Sequence, residues 1–366
     1  VIERQHPEQW LEIAENELLQ QFSGESVPLC RITLLQSSEQ NPTNQRISSL
    51  PSHNELIVTF HHAIADGMSA LHVMHALCAC YQQVIEGVSP PTVSDRSLKP
   101  PLEQLLAPCL AGLDVAELEQ LLPSQPTESP QLLIEQTARV ADRKTRLIPF
   151  ELNPAHLSRL KQRCRDEQTT VHGALCAALS LACVAQSLAV QVPVPITCGS
   201  SVDLRPACEP LVEASDLGCV TFNITTSHHV SPKADFWDLA RECQADVARL
   251  VQAKIPHYRG SSAELLNQYQ ASFLAQLAEH NMGRITTCHV SNLGQSNAPT
   301  AYGSIALESF HFATGQSLVG VSCWMGAVTI NQTLCGTFTY VTPLMSPETA
   351  NTLADSVITN LTRSVA

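Results

Sequence analysis

The sequence predicts a mixed α/β chain in two halves, each with its own strands and helices. Three observations carry this. The 366-residue chain is too long for a typical compact domain, and 44 % of it is hydrophobic, enough for two sizeable cores. Short apolar strand-like runs alternate with longer runs of helical period in both halves. Between them, residues 88–130 are Pro-rich and weakly patterned, with Pro90, Pro91, Pro100 and Pro101 and then PSQPTESP at 123–130. That stretch reads as an extended inter-domain crossover, so the halves are residues 1–144 and 145–366.

The elements follow in order. PEQWLEIAENELLQQF, 7–22, places Leu11, Ala14, Leu18 and Phe22 at helical spacing. VPLCRITLL, 27–35, alternates: Leu29, Arg31 and Thr33 face one way, Cys30, Ile32 and Leu34 the other. A stretch rich in Ser, Asn and Gln then reads as a loop or hairpin tip. ELIVTF, 55–60, is a short apolar run bounded by loops, hence a buried strand, and it passes directly into HHAIADG, 61–67. The helix MSALHVMHALCACYQQVIEG follows. In the second half TRLIPFEL, 145–152, is a strand, and NPAHLSRLKQRCR, 153–165, a helix capped by Asn153 with Pro154 at its first position. TTVHGALCAALSLACVAQSL, 169–188, is an apolar helix capped by Thr169 or Thr170. VPVPITCGSSV (192–202) and GCVTFNITT (218–226) are strands, and 233–253 and 261–280 are helices. RITTCHVSN, SIALESFHF, SLVGVSCWM and the pair AVTIN/LCGTFTY supply further strands. SPETANTLADSVITNLTRSV, 346–365, is a last helix capped by Ser346. No repeat of solenoid period is present.

Charge and composition exclude several functions. Charged residues are 15 % of the chain, below the roughly 25 % of soluble domains. The net charge of −13 lacks the electrostatic footprint of a nucleic-acid binder, and an anionic membrane surface would repel it. No apolar run reaches the ~18 residues of a membrane span. The richest, Val171 to Val194, is broken by His172, Gly173, Gln186 and Gln191. The first residues, VIERQHPEQW, are charged and lack both a signal-peptide core and an initiator Met, which suits a fragment. Cys78, Cys80, Cys176 and Cys183 sit in apolar helical patterns, where cysteine behaves as a small buried hydrophobe. No CxxC occurs among the 14 cysteines. A reduced, cytoplasmic protein without a structural zinc site is expected.

The chemistry is concentrated in HHAIADG. The motif lies between a strand and a helix, where a side chain can be held rigidly at a cavity wall. An imidazole titrates near neutrality, so a neutral His62 can accept a proton from a hydroxyl or amine. Asp66, just before a helix, either caps it or pairs with a cation, for which Arg31 on a neighbouring strand is the natural partner. Gly67 allows an unusual backbone conformation or a close approach.

HHAIADG resembles the HHxxxDG motif of the thioester-dependent acyltransferase superfamily. That superfamily includes chloramphenicol acetyltransferases, nonribosomal-peptide condensation domains, alcohol acetyltransferases and polyketide-associated acyltransferases. Further segments fit in the right order: PLCRITLL the strand of the family's structural arginine, TTVHGALCAAL the helix opening the second subdomain, SVDLRP (201–206) a VDLRP-like segment, LGCVTFNI the G-x-x-x-x-N strand and VSNLG (290–294) the SNLG segment. The match runs from about residue 27 to 363. The resemblance implies two chloramphenicol-acetyltransferase-like α/β sandwich subdomains with mixed sheets, forming a pseudo-dimer around a tunnel. It implies His62 as catalytic base, and His61, Asp66, Gly67 and Arg31 as structural parts of the motif, with Asp66 paired to Arg31. One helix, and no first strand, precedes the matching region, so the resemblance also implies that the start of the first subdomain is missing. The DFGWG motif of the plant branch is absent, which favours the alcohol acetyltransferase and polyketide-associated branch.

The implied reaction is acyl transfer from a thioester, either acyl-CoA or an acyl carrier protein's phosphopantetheine, to an alcohol or, less favoured, an amine. It needs no enzyme nucleophile and no metal or redox cofactor. Asn292 and Ser291 are the candidate oxyanion or substrate contacts, and Arg205 the candidate for a structural ion pair. Two other readings stand beside it: a free-standing condensation domain joining carrier-bound substrates, and a non-catalytic relative that binds a carrier protein or metabolite. His72 and His75 form an HxxH on a helix but lack a neighbouring carboxylate motif, so packing is favoured over a metal. His228 and His229 form a second pair without the motif's spacing and are given no catalytic role. Asn223 reads as a buried hydrogen-bonding residue linking strands.

Overall fold

The computed structural model describes residues 1–22, 28–37, 53–89, 98–121, 132–186, 193–261 and 271–365. Two main sheets form among them. The first has the order β1–β2–β3, from Ile2–Glu3, Cys30–Gln36 and Glu55–Phe60; β2 is parallel to β1 and antiparallel to β3. The second is a six-stranded mixed sheet in the order β4–β11–β10–β7–β5–β6. Its strands are β4 (Lys144–Leu152), β5 (Val194–Asp203), β6 (Thr221–Val230), β7 (Cys288–Gln295), β10 (Cys323–Ile330) and β11 (Thr333–Thr342). The β10–β7 and β7–β5 pairs are parallel and the rest antiparallel. Between β7 and β10, Ala301–Tyr302 and Ile305–Ala306 form a small ribbon, β8–β9. Among the described residues no single helix is long and apolar enough to cross a membrane.

The six-stranded sheet has two unlike faces because its side chains alternate. On one, Cys288, Val290, Met325, Ala327, Leu334 and Phe338 enter the main core. Helices α5 (Pro154–Asp166), α6 (Val171–Gln186) and α7 (Phe236–Gln252) and the C-terminal helix Pro347–Arg363 bring their apolar faces to the same core. Helix α6 is buried almost all round, as its unbroken apolar composition demands. Asn153 and Ser346 cap their helices by accepting from the His156 and Thr349 N–H groups, each followed by proline at the first position. On the other face His289, Ser291, Trp324 and Thr337 line a cavity.

Several expectations need correction. A short strand, Ile2–Glu3, does precede the first helix and pairs with β2. Residues 98–121 are not extended throughout. They contain α3 (Leu102–Leu110) and α4 (Val115–Leu121), and Leu105 and Leu106 bury against Leu204, Cys208, Val212 and Val220. Of SIALESFHF only Ile305–Ala306 is strand. The two strands expected over 317–331 are one, Cys323–Ile330, because the buried Arg284 guanidinium donates to the Gln316 and Val321 carbonyls and holds the preceding segment off the ladder. Cys78 and Cys80 are half-buried at the cavity wall rather than in a core. The polar loop after β2 and PSQPTESP lie outside the described residues, as does part of the helix expected over 261–280, whose described portion is Ala271–Glu279.

The first sheet reaches the second through two helices. Helix α1 (Gln9–Leu19) lies against β4, with Glu15 accepting from Arg146 (2.5 Å) and from the Leu147 N–H (2.9 Å). Helix α2 (Gly67–Ile85) packs Leu71 and Met74 with Leu293, Phe310 and Phe312. Its His75 bonds Tyr302 Oη (2.6 Å) and Ser296 Oγ (3.2 Å) through its two ring nitrogens.

The tightest link is the Asp66 carboxylate, 3 % exposed. It caps α2 by accepting from the Ser69 N–H (2.9 Å), takes a bidentate pair from Arg205 (2.7 and 3.0 Å) and accepts from the Val220 N–H (2.9 Å). Cap and ion pair, read from sequence as alternatives, are both present. The partner is Arg205, not Arg31. Arg31 instead turns to the C-terminal end of α1, where it bonds Glu17 (2.6 Å) and the Glu17 and Gln20 carbonyls and lies 4.0 Å over the Phe22 ring. A helix end rich in unsatisfied carbonyls attracts that cation, and Asp66 is out of its reach. Removing one partner of a buried pair strands the other, at a cost of about 3–5 kcal/mol. Asp66→Ala and Arg205→Ala are therefore expected to lower the melting temperature markedly, and Arg31→Ala, whose pair is partly solvated, much less. Equal melting temperatures for all three in differential scanning calorimetry would contradict the assignment.

Candidate active site

The HHAIADG loop opens onto a cavity of about 2950 Å3, well above the ~300–1,000 Å3 of a site for one drug-sized ligand. One side is β3, the loop and α2. The other is β5, β6, β7 and residues 304–321. Apolar side chains such as Ile57, Met74, Leu77, Phe310 and Phe312 line much of it.

The loop sorts its side chains into separate tasks. His61 donates its backbone N–H to the Leu29 carbonyl (3.0 Å), accepts the Ala63 N–H on its own Nδ1 (3.2 Å) and sets its ring edge-on to Phe22. Its imidazole thus fixes the turn. Asp66 is consumed by Arg205 and the two backbone N–H groups. Burial alone would push this carboxyl up, but the Arg205 guanidinium and the N–H groups of Ser69 and Val220 outweigh it and hold it below the usual carboxylate range. Gly67 is needed for a close approach, not for its backbone angle: a Cβ there would lie 2.7 Å from Leu293 Cδ2.

His61 and His62 are both exposed and both line the cavity, but His62 does not close the turn as His61 does. The His62 Nδ1 lies 3.6 Å from Cys219 Sγ. The hydrogen bond with Cys219 raises its pKa to about 9, with smaller upward pushes from Cys219's charge, its own carbonyl and Asp66, against burial. Cys219 stands between two residues that the motif holds. The Gly218 carbonyl accepts from the Asp66 N–H (3.2 Å) and Ser69 Oγ (3.0 Å), and Val220 donates to Asp66.

A polar chain crosses three adjacent strands on the same cavity face. Ser201 on β5 and Asn223 on β6 are direct cross-strand partners, and Ser201 Oγ donates to Asn223 Oδ1 (2.9 Å). His289 on β7 places Nε2 2.9 Å from the same Oγ. The hydroxyl proton is already given to Asn223, so His289 Nε2–H is the donor. Burial pushes His289 down to about 3, which keeps it neutral. Its ring lies over Gly199, its β-ladder partner, where a Cβ would meet Nδ1 at 2.1 Å. Asn223 presents its amide to the cavity, a more exposed position than the sequence suggested.

The structure thus brings His62, Asp66, Arg205, Ser291 and Asn292 to one cavity edge or its supporting network and leaves Arg31 outside it. Ser291 and Asn292 line the cavity from β7, Asn292 Oδ1 accepting the Gly294 N–H (3.0 Å). Sequence reasoning missed Cys219 and the Ser201–His289 contact. GCVTFNI and CHVSN contain these residues, but nothing local signals that Cys219 meets a histidine 157 positions away. His228 is a buried strand residue, bonded to Glu242 (2.7 Å) and Thr226 (2.8 Å). Among the described residues the groups with metal-ligand spacing are Glu151–His311–Cys335 and His228–Glu242–Asp246, neither of which includes His62.

The comparisons agree with this architecture. The family described as phthiocerol/phthiodiolone dimycocerosyl transferase C-terminus matches residues 141–324. No curated protein matches the chain. Similar solved structures include the epimerization domain from the third module of tyrocidine synthetase B, with 15 % identity over 98 % of this chain and 76 % of that one, TM-score 0.62. Polyketide synthase associated protein 5 from Mycobacterium tuberculosis is 15 % identical over 95 % and 79 %, TM-score 0.60. Trichothecene 15-O-acetyltransferase from Fusarium sporotrichioides is 13 % identical over 90 % and 70 %, TM-score 0.61. At these identities the likeness shows the two-subdomain condensation and acyltransferase fold, and the family match extends it. The chain belongs to the phthiocerol/phthiodiolone dimycocerosyl transferase C-terminus family and is a transferase enzyme.

Proposed function

We propose that the protein moves an acyl group from a thioester to an alcohol, with an amine the less favoured acceptor, and that His62 carries the acceptor's proton. One observation carries this reading: of the motif's three polar side chains that line a cavity built from both halves of the chain, His61 and Asp66 are spent on structure and His62 is not. A thioester is already activated, so the chemistry asks for orientation, a proton acceptor and an oxyanion donor. The donors at hand are the Asn223 and Asn292 amides and the Ser291 hydroxyl, all on the cavity wall. The apolar lining from α2 and residues 305–312 suits an acyl chain. The donor thiol belongs to CoA or to a carrier protein's phosphopantetheine, and the net charge of −13 disfavours docking of an acidic carrier. No metal or redox cofactor is required by these steps, and a reduced cytoplasmic setting suits them.

The test is thiol release from acyl-CoAs of increasing chain length in the presence of pooled alcohols and amines. Release that depends on acceptor, and that His62→Ala lowers by ~10²–10⁴-fold without a change in melting temperature, is the expected result. Undiminished release in His62→Ala would remove the histidine from the mechanism. Release from no acyl-CoA would move the weight to carrier-bound donors, tried next. The resting proton affinity is checked separately. Followed by NMR at the imidazole Cε1 proton, His62 is expected to titrate near 9, well above an ordinary histidine. Cys219→Ala deletes the largest upward push, so the midpoint should fall; an unmoved midpoint would dissociate the two side chains.

A further inference from the structure

We propose that Glu151, His311 and Cys335 form a binding site for a zinc ion, with its fourth coordination position open to the cavity. The site stands at the β4 edge of the six-stranded sheet, opposite the β6 edge, and it is independent of the acyl-transfer reading.

The β4–β11 ladder brings two of the donors together. Glu151 and Cys335 are direct cross-strand partners, so their side chains stand on one face of the sheet. Cys335 Sγ lies 4.0 Å from Glu151 Oε1. His311, in the irregular segment after β9, brings Nε2 to 3.6 Å from the same oxygen. All three donor atoms lie within 4.8 Å of one another. A tetrahedral Zn²⁺ with bonds of about 2.0–2.3 Å sets N···O near ~3.4 Å and S···O near ~3.6 Å. The two separations to Glu151 therefore need to close by only a few tenths of an ångström.

The imidazole is already aimed. Its Nδ1–H donates to the Gly336 carbonyl (3.1 Å), so a neutral ring carries its lone pair on Nε2, toward Glu151. At 3.6 Å the two atoms are too far apart to share a proton in a hydrogen bond. Burial also holds the ring below the ordinary histidine range, against smaller upward pushes from the Gly336 carbonyl and Glu151. Two acceptors thus face each other with room for a cation between them. A ring nitrogen tied to a backbone carbonyl is the support that zinc-bound histidines have. Gly336 directly follows Cys335, so the strand that offers the sulfur also orients the imidazole. The Trp10 ring of α1 lies beside it, 5.8 Å between centroids.

The donor set selects the ion. Thiolate, imidazole and carboxylate together suit Zn²⁺, whereas Mg²⁺ and Ca²⁺ take oxygen ligands. The charges cancel: a divalent cation meets one thiolate, one carboxylate and a neutral ring, so the site leaves no net charge buried. Cys335 is buried, while Glu151 and His311 line the cavity, which gives water access to the fourth position. The other group with metal-ligand spacing lacks a free donor on its histidine. Both His228 nitrogens are committed, to Glu242 (2.7 Å) and Thr226 (2.8 Å). No CxxC marks the zinc site, because its ligands come from three separate segments. A bound ion would tie the segment carrying Phe310 and Phe312 to the sheet edge.

The test uses the full chain, stripped with EDTA and kept reduced with a phosphine, beside Cys335→Ser, His311→Gln, Glu151→Gln and His228→Gln. Expected is one zinc ion retained per chain after loading with ZnCl2 and gel filtration. CoCl2 should give a sulfur-to-cobalt charge-transfer band with the strong d–d absorption of four-coordinate cobalt, and Cys335→Ser should lose the former. Zn²⁺ affinity, read by competition with a chromophoric chelator, should fall at least ~100-fold in Cys335→Ser and His311→Gln, beyond the ~10–100-fold of outer-shell changes. It should stay unchanged in His228→Gln. Zn²⁺ should raise the wild-type melting temperature, and that rise should shrink in the three ligand variants. If Cys335→Ser does not fold, His311→Gln and Glu151→Gln, both altered at the cavity wall, decide by the same affinities. A folded wild type that retains no zinc and shows no charge-transfer band overturns the site. So does equal affinity in the wild type and the ligand variants, or a loss confined to His228→Gln.

Discussion

The structure turns on a single buried carboxylate. Asp66 accepts from a guanidinium, a helix N-terminus and the Val220 N–H of the segment leading into β6, and these donors come from three separate stretches of chain. An unpaired charge in that place would cost several kcal/mol, so all three stretches must arrive together. A buried ion pair often adds little net stability over a well-packed apolar contact. What the apolar contact could not do is direct three donors at once. Asp66 therefore acts as a locating pin between the first 67 residues and the β5–β6 region.

Two cavity-lining side chains that meet, His62 and Cys219, hang beside that pin. His62 precedes Asp66 by four positions, and Cys219 precedes Val220, whose N–H the carboxylate holds. The distance between the two side chains is thus set by backbone hydrogen bonds and not by side-chain packing, which would be softer. Two of the motif's three polar side chains are spent on structure: His61 closes its own turn and Asp66 is fully occupied. Arg205 shares the burden, bonding Ser69 Oγ and Asp203 besides Asp66.

Much of the fold was legible because it follows from local period. The alternation in β2, the apolar character of α6, and the caps at Asn153 and Ser346 each specify one local structure. His62 was legible through the motif, and the roles of Asp66 as cap and ion-pair partner were both visible. The identity of its partner was not. Arg31 and Arg205 each lie in a segment fitting the family, and only the path of α1 decides between them: Glu17 and the helix's terminal carbonyls capture Arg31 first. Residues 304–322 misled for a related reason. Their apolar runs have strand composition, but beyond Ile305–Ala306, Phe310 and Phe312 pack beside α2, and the Gln316 backbone bonds Arg284 and Thr145 instead of joining the main ladder. Contacts such as Asp66–Arg205 and Thr145–Gln316 join residues more than a hundred positions apart, which no window of sequence contains.

The cavity's two kinds of wall have two sources. Its apolar side is built by a helix stripe, Met74 and Leu77, together with Phe310 and Phe312 of an irregular segment. Its polar side is the outward face of the mixed sheet, where alternation places Ser201, Asn223, His289 and Ser291 opposite the core residues of the same strands. Strands fix the directions of these polar side chains. The His289–Ser201–Asn223 chain adds to this, since a neutral buried imidazole donating to a serine that donates to an amide oxygen leaves that amide one orientation.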